Sequence, residues 1–306
     1  LRMSRGLGDV YKRQVLDKKR KPVKHLRLWV QVIVAAVTNG YLIGFVKGKI
    51  FTGWTKQLCV PGLNCYSCPG ALGSCPIGSL QAVLGSRNYK FAFYVTGFLM
   101  VVGAVFGRFV CGWLCPFGLV QDLLYKIPFF KKLRKLPGDR WLKYLKYVIL
   151  IGFVILLPLF AVDIVGQGSP WFCKYICPAG TLEGGIPLVF SNSALQAAVG
   201  WLFAWKNLLL IALILLSIPV YRPFCRYLCP LGAIYGLFNP IAFYRYKIDR
   251  NSCTRCRACQ KACKLDIPVY EKPNSPDCIR CGACKKACPH HAICSTLKKQ
   301  KKEEEV

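Results

Sequence analysis

CTRCRACQKAC (253–263) and CIRCGACKKACP (278–289) are two copies of one spacing, Cys-x2-Cys-x2-Cys-x3-Cys, and the second ends in proline. Three close cysteines on a tight turn can hold three irons of one [4Fe–4S] cube, while a fourth just past the turn reaches the other cube. The spacing therefore predicts one cluster on Cys253, Cys256, Cys259 and Cys288, and a second on Cys278, Cys281, Cys284 and Cys263. Structural zinc sites pair two short Cys-x2-Cys hairpins and do not repeat a three-plus-one pattern. Lys264 stands where proline often follows the fourth cysteine, which alters a turn and not the ligand count.

Outward from these runs, the composition points to a membrane. The 306 residues are 54% apolar yet carry 43 Lys and Arg against 13 Asp and Glu. Basic residues sit at the ends of apolar stretches, as in membrane proteins, and not along one stripe, which argues against nucleic acid as a partner. Nineteen cysteines in a chain of this length are not a disulfide scaffold, so most are expected to be ligands or redox thiols.

Four stretches are expected to span the bilayer, near 28–46, 91–107, 141–162 and 204–221; the uncharged run from Ile186 is broken at Lys206, so one long span or two short ones fit it. Lys18 to Arg27 precede the first span and Lys126 to Arg140 lie between the second and third, whereas Asp163 to Trp205 hold only Lys174. That asymmetry puts both termini in the cytoplasm and the clusters at the inner face of the cell membrane. The segment 1–14, with LGDVYKRQ at 7–14, reads as adapter-derived and non-native, and 295–306 as a charged tail. Residues 15–245 are then the membrane domain and 246–294 a bacterial-type 2[4Fe–4S] ferredoxin domain of α+β type.

Cys-Pro-x-Gly occurs four times, at Cys75, Cys115, Cys177 and Cys229. Ser79-Leu80-Gln81 answers Thr181-Leu182-Glu183, and Cys111-x3-Cys115 answers Cys225-x3-Cys229, so 26–126 and 141–240 read as two pseudo-symmetric halves. Proline disfavours helix before it and suits a first helical turn, which places Cys115 and Cys229 at helix N-termini where the dipole favours thiolate. The helix after Pro116 is expected to lie on the inner membrane surface. Symmetry brings Cys111, Cys115, Cys225 and Cys229 to one inner level, where four thiolates could hold an iron–sulfur cluster, Cu(I) or two disulfides. An outer counterpart is available in Cys65, Cys68, Cys75, Cys173 and Cys177, with Cys59 nearby.

The inner Cys-x3-Cys-Pro pairs at Cys111–Pro116 and Cys225–Pro230, followed by the double ferredoxin run, resemble the membrane iron–sulfur proteins of the NapH/NosR/CcoG polyferredoxin group. The resemblance covers the chain from the first span to Ile293. It implies electron transfer between a cytoplasmic donor or the quinone pool and a membrane or extracytoplasmic acceptor, with redox partner subunits or quinone as partners and a quinol dehydrogenase-like role within reach. The alternative function is a copper-handling or thiol–disulfide assembly factor with the ferredoxin domain as reductant. His25, His290 and His291 are the three histidines, so no bis-histidine haem is expected, and no covalent-flavin threonine motif is seen. Acidic residues are scarce in the spans, which speaks against a proton relay, and Asp163 and Glu183 read as solvated.

Overall fold

The computed structural model describes residues 26–86, 89–128, 131–161 and 167–297. The 1–14 segment, the basic residues up to His25, Val162 at the end of the third expected span, Asp163, and the tail from Lys298 lie outside the described residues.

Helix dominates the described residues up to 240. Among the described residues one helix, α1 (Asp139–Phe160), is long and apolar enough by itself to cross a membrane. Its middle, Leu150–Leu156, widens into a π-helical turn just before Pro158. A proline offers no N–H and crowds the carbonyl four residues back, so a widened turn accommodates it without breaking the helix.

Three other expected spans are shorter apolar helices, Leu26–Thr38, Phe93–Phe106 and Trp201–Ser217. The first ends before Val46 because Thr38 and Asn39 turn their side chains back onto the carbonyls of Val34 and Ala35, at 2.8 and 3.1 Å. The loop at Gly70–Leu72 then takes over the backbone, through Leu72 N to Thr38 O at 2.9 Å and Tyr41 N to Gly70 O at 3.1 Å. Between Ile186 and Tyr221 the apolar helix Trp201–Ser217 follows two short ones, Ile186–Ser191 and Ser193–Ala197. Large apolar side chains stand exposed on these helices, among them Trp29, Val37, Phe93, Val101, Trp141, Ile151, Trp201 and Leu208.

Helices begin at Pro76, Pro116, Pro178 and Pro230, each directly after a cysteine with extended backbone where the cap is recorded. The helix Pro116–Leu124 departs from its expected place on the membrane surface. Phe117, Gly118, Leu119 and Gln121 are buried in the protein, and Asp122 is gripped by two guanidiniums.

Residues 246–295 fold around a two-stranded antiparallel sheet, β1 (Tyr246–Ile248) on β2 (Ile293–Ser295), with Tyr246 opposite Ser295. Two five-residue helices, Ala258–Ala262 and Ala283–Ala287, carry the third cysteine of each run. This α+β unit is locked onto the helical part. Arg280 donates to Phe106 O and Asn239 O, both at 2.7 Å, Trp113 Nε1 donates to Arg280 O, and Asn239 Nδ2 donates to the carbonyls of Ser275 and Cys278.

Candidate functional site: four cysteine sets in series

The two ferredoxin runs fold alike because equivalent positions adopt the left-handed conformation: Arg255 and Arg280, Arg257 and Gly282, Asp266 and His291. Alternating right- and left-handed residues turn successive N–H groups inward and make a concavity for anionic groups such as cluster sulfurs. Cys253, Cys256, Cys259 and Cys288 line one cavity, so the run-crossing fourth cysteine lies where the spacing put it. His290 is exposed and also borders this cavity. Cys263 joins Cys278, Cys281 and Cys284. Burial pushes the Cys284 thiol up, and the neighbouring Cys278, Cys281 and Cys263 add to that. Of the nineteen cysteines, Cys256 is the one that stands exposed.

At the inner level, Cys111, Cys115, Cys225 and Cys229 are all buried and all close to one another. Burial raises the Cys229 thiol well above its ordinary value, and Cys225, Cys111 and Cys115 raise it further. Two arginines build the surround by reciprocal exchange between the halves. Arg108, three residues before Cys111, donates to Cys225 O at 2.7 Å, while Arg222, three residues before Cys225, donates to Cys111 O. Their relative exposures are 1% and 0%. The glycines of Cys-Pro-x-Gly make room for them: a Cβ at Gly232 would stand 3.0 Å from Arg108 Nη2, and one at Gly118 3.2 Å from Arg222 Cζ.

Buried guanidiniums need anions. Asp122 takes Arg222 in a two-pronged pair at 2.8 and 2.6 Å and also pairs with Arg27. Asp277 takes Lys146 at 2.6 Å and Arg108 at 3.4 Å. Burial pushes the Asp122 carboxyl up, but the Arg222 and Arg27 charges outweigh it and hold it below its ordinary range.

At the outer level, Cys65, Cys75, Cys173 and Cys177 line a cavity of about 750 Å³. Burial pushes the Cys173 thiol up to about 12, with Cys75 and Cys65 contributing. The glycines of the motif border these sulfurs: a Cβ at Gly180 would stand in ordinary contact with Cys65 Sγ at 3.6 Å and Cys177 Sγ at 3.9 Å, and one at Gly78 with Cys173 Sγ at 3.8 Å. Cys68, expected in this set, does not line the cavity; it is buried and donates to Asn39 Oδ1 at 3.6 Å. Cys59 likewise points elsewhere, receiving Ser74 Oγ at 3.7 Å. Glu183 is not solvated as expected: it is half-buried, and its Oε2 accepts the Cys65 N–H at 2.8 Å.

The sets adjoin one another. A Cβ at Gly112 would run into Ile279 O in the second ferredoxin run, so that run sits directly against the inner set. On the other side, Gly62 lies against Cys115, where a Cβ would be 3.1 Å from its Cα. The buried Tyr235 anchors this outer loop by donating to Pro61 O at 3.1 Å. Cys294, outside both ligand runs, lies on β2 and is not among the residues lining the cavity of Cys253, Cys256, Cys259 and Cys288.

Among the described residues no three His, Cys, Asp or Glu side chains gather as ligands of a single metal ion. Sulfurs that bind different irons of one cluster stand further apart than ligands around one ion. A second observation fits: Arg108 Nε is buried without a hydrogen-bond partner, on a guanidinium that feels Cys111, Cys225 and Cys229. A sulfur-rich anionic group beside those cysteines would give it an acceptor.

Residues 91–137, 145–188 and 196–250 match the family model of a 4Fe–4S binding domain. Each matched segment holds one Cys-x3-Cys-Pro, at Cys111, Cys173 and Cys225. The chain is a ferredoxin-type, NapH/NosR-like protein. It is similar to an uncharacterized protein of Methanocaldococcus jannaschii, 33% identical over 187 residues, which are 57% of this chain and 66% of that one. The ferredoxin-type protein NapH of Haemophilus influenzae is 31% identical over 184 residues, 59% of this chain and 56% of NapH. The regulatory protein NosR of Pseudomonas aeruginosa is 29% identical over 163 residues, 53% of this chain but 21% of NosR. The matches thus span from about a fifth to about two thirds of these relatives' own lengths. No solved structure matches.

The gathering of Cys253, Cys256, Cys259 and Cys288 around one cavity is legible from their spacing. Spacing alone does not mark Arg108, Arg222 or the glutamines Gln81 and Gln121; the signal for them is position in the repeat, since each arginine precedes a cysteine by three in its own half and each glutamine follows a Cys-Pro-x-Gly cysteine by six in the first half.

Proposed function

We propose that this protein is a membrane-anchored iron–sulfur electron carrier, moving electrons between a cytoplasmic donor or the quinone pool and an acceptor in the membrane or beyond it. The observation that carries this reading is the series of four cysteine sets, each of four sulfurs, that runs from Cys256 at the surface to the outer cavity. The ligand sets are Cys253, Cys256, Cys259 and Cys288; Cys278, Cys281, Cys284 and Cys263; Cys111, Cys115, Cys225 and Cys229; and Cys65, Cys75, Cys173 and Cys177. When bound, a four-iron cluster takes up and gives back single electrons at low reorganisation cost.

The chain's own residues do the rest. The left-handed turns aim N–H groups at the ferredoxin sets, and the Arg108–Arg222 exchange supplies positive charge to the inner set without solvent. Gly112 against Ile279 and Gly62 against Cys115 let neighbouring sets approach closely. Exposed apolar faces on the helices Leu26–Thr38, Asp139–Phe160 and Trp201–Ser217 support a lipid environment. The cell membrane, with both termini cytoplasmic, is the location consistent with the charge of the loops.

Anaerobic metal and sulfide analysis of the full chain tests this. Four clusters require about sixteen irons per chain. About eight irons, unchanged by Cys225→Ser, would remove the membrane sets from the proposal; zinc in place of iron would remove all four.

A further inference from the structure

Gln81 and Gln121 occupy the same place in two copies of the repeat, six residues past Cys75 and Cys115. Both are buried, at 0% and 1% exposure. Each makes the same three contacts. Gln81 Oε1 accepts from Phe172 N at 3.0 Å, and its Nε2 lies 3.3 Å from both Cys173 Sγ and Ile77 O. Gln121 Oε1 accepts from Phe224 N at 3.2 Å, and its Nε2 lies 3.1 Å from Cys225 Sγ and 3.5 Å from Phe117 O. A backbone N–H can only donate, so the amide oxygen must face it and the amide NH₂ must face the sulfur. In both cases the sulfur belongs to the first cysteine of a Cys-x3-Cys-Pro motif in the other half.

The two remaining copies lack this arrangement. At the same offset past Cys177 and Cys229 stand Glu183, which accepts from Cys65 N, and Tyr235, which donates to Pro61 O. Each membrane set therefore has one glutamine amide directed at one sulfur.

We propose that Gln81 and Gln121 are positioning residues that set the reduction potentials of the outer and inner centres, each by an N–H···S hydrogen bond across the pseudo-twofold axis. This rests on the reading that those cysteines hold clusters. A donor aimed at a ligand sulfur stabilises negative charge there, and the reduced centre carries one more electron than the oxidised one, so the bond favours reduction. The carbonyl end holds the amide in place and keeps the NH₂ on the sulfur.

The test is potentiometric titration of the full-length protein, followed by electron paramagnetic resonance, with the inner and outer signals assigned by their loss in Cys225→Ser and Cys173→Ser. Gln121→Met keeps the volume and removes the donor. It should leave iron content unchanged and lower the inner reduced-to-oxidised ratio at fixed potential by roughly tenfold, about 59 mV for one electron. Gln81→Met should do the same to the outer signal alone. Tyr235→Phe, which removes an equally buried hydrogen bond that touches no sulfur, should leave both in place. In Gln121→Glu the carboxyl still donates when protonated and cannot when ionised, so the inner potential should become pH-dependent and fall as pH rises.

Unmoved potentials in loaded Met variants would overturn the proposal. So would loss of the cluster in both the Met and Glu variants, which would make the glutamines structural, or equal shifts of both signals by one substitution. If the wild-type protein shows no signal beyond the ferredoxin pair, the cluster reading of the membrane cysteines fails instead.

Discussion

Gly112 faces the carbonyl of Ile279 with no room for a Cβ. Gly112→Ala should therefore push the second ferredoxin run off the inner set, and the expected outcome is faster proteolytic release of the ferredoxin part with its iron retained. The Arg222–Asp122 pair is a stronger constraint. Removing one member of a buried ion pair strands the other, so Arg222→Met should cost about 3–5 kcal/mol, read as a lowered thermal midpoint in detergent. Arg222→Met combined with Asp122→Leu should recover part of that loss, because an apolar pair of similar volume can replace a buried salt bridge. Asp277 works the same way between the helical part and the ferredoxin part. Burial raises its carboxyl, and Lys146 and Arg108 outweigh burial and depress it below the ordinary value of 3.8. A depressed carboxyl adds stability above its unfolded pKa and loses it as pH falls through the folded one. The grip should hold at neutral pH and loosen only in acid below about pH 4, which protease accessibility across a pH series would show.

Among the elements, legibility followed the range of the interaction. Cys-Pro steps were readable as helix starts because proline acts on its immediate neighbours, and helices do begin at Pro116 and Pro230. The third expected span coincides closely with the helix Asp139–Phe160. The first was read too long, since nothing local at Asn39 and Gly40 announces that Gly70 and Leu72 will capture the backbone from thirty residues away. Pro116–Leu124 carries an amphipathic pattern that suits a membrane surface, yet its polar face meets buried arginine instead of water. Arg108 and Arg222 were hidden for a related reason: a basic residue near a helix end is what loop charge leads one to expect, and only alignment of the two halves shows that both precede a cysteine by three. Cys68 was over-read because short spacing to Cys65 suggests a shared ligand set, whereas its sulfur turns to Asn39. The short apolar helices make a direct prediction. A thiol-reactive, membrane-impermeant probe on Ser193→Cys should label intact cells from outside, and labelling only after lysis would reverse the proposed orientation.

Over the whole molecule, the repeat has done two different things with one motif. Both halves contribute to each membrane set, so neither half alone carries a full complement of sulfurs: Cys111 and Cys115 need Cys225 and Cys229, and Cys65 and Cys75 need Cys173 and Cys177. Split expression of residues up to 137 and from 138 onward should then yield membrane-set signals only when the two pieces are made together, while the ferredoxin signals persist in the second piece alone. The two sets are not equivalent in access. The outer one opens on a cavity of about 750 Å³, and the inner one is buried throughout.

The single exposed cysteine, Cys256, gives the series a vulnerable end. Oxidants reach thiolates by contact, and susceptibility follows exposure. Brief aeration should therefore bleach the centre on Cys253, Cys256, Cys259 and Cys288 first and leave the inner centre until last. Damage would proceed inward from that tip, cutting the proposed series at its exposed end before its buried sets are touched.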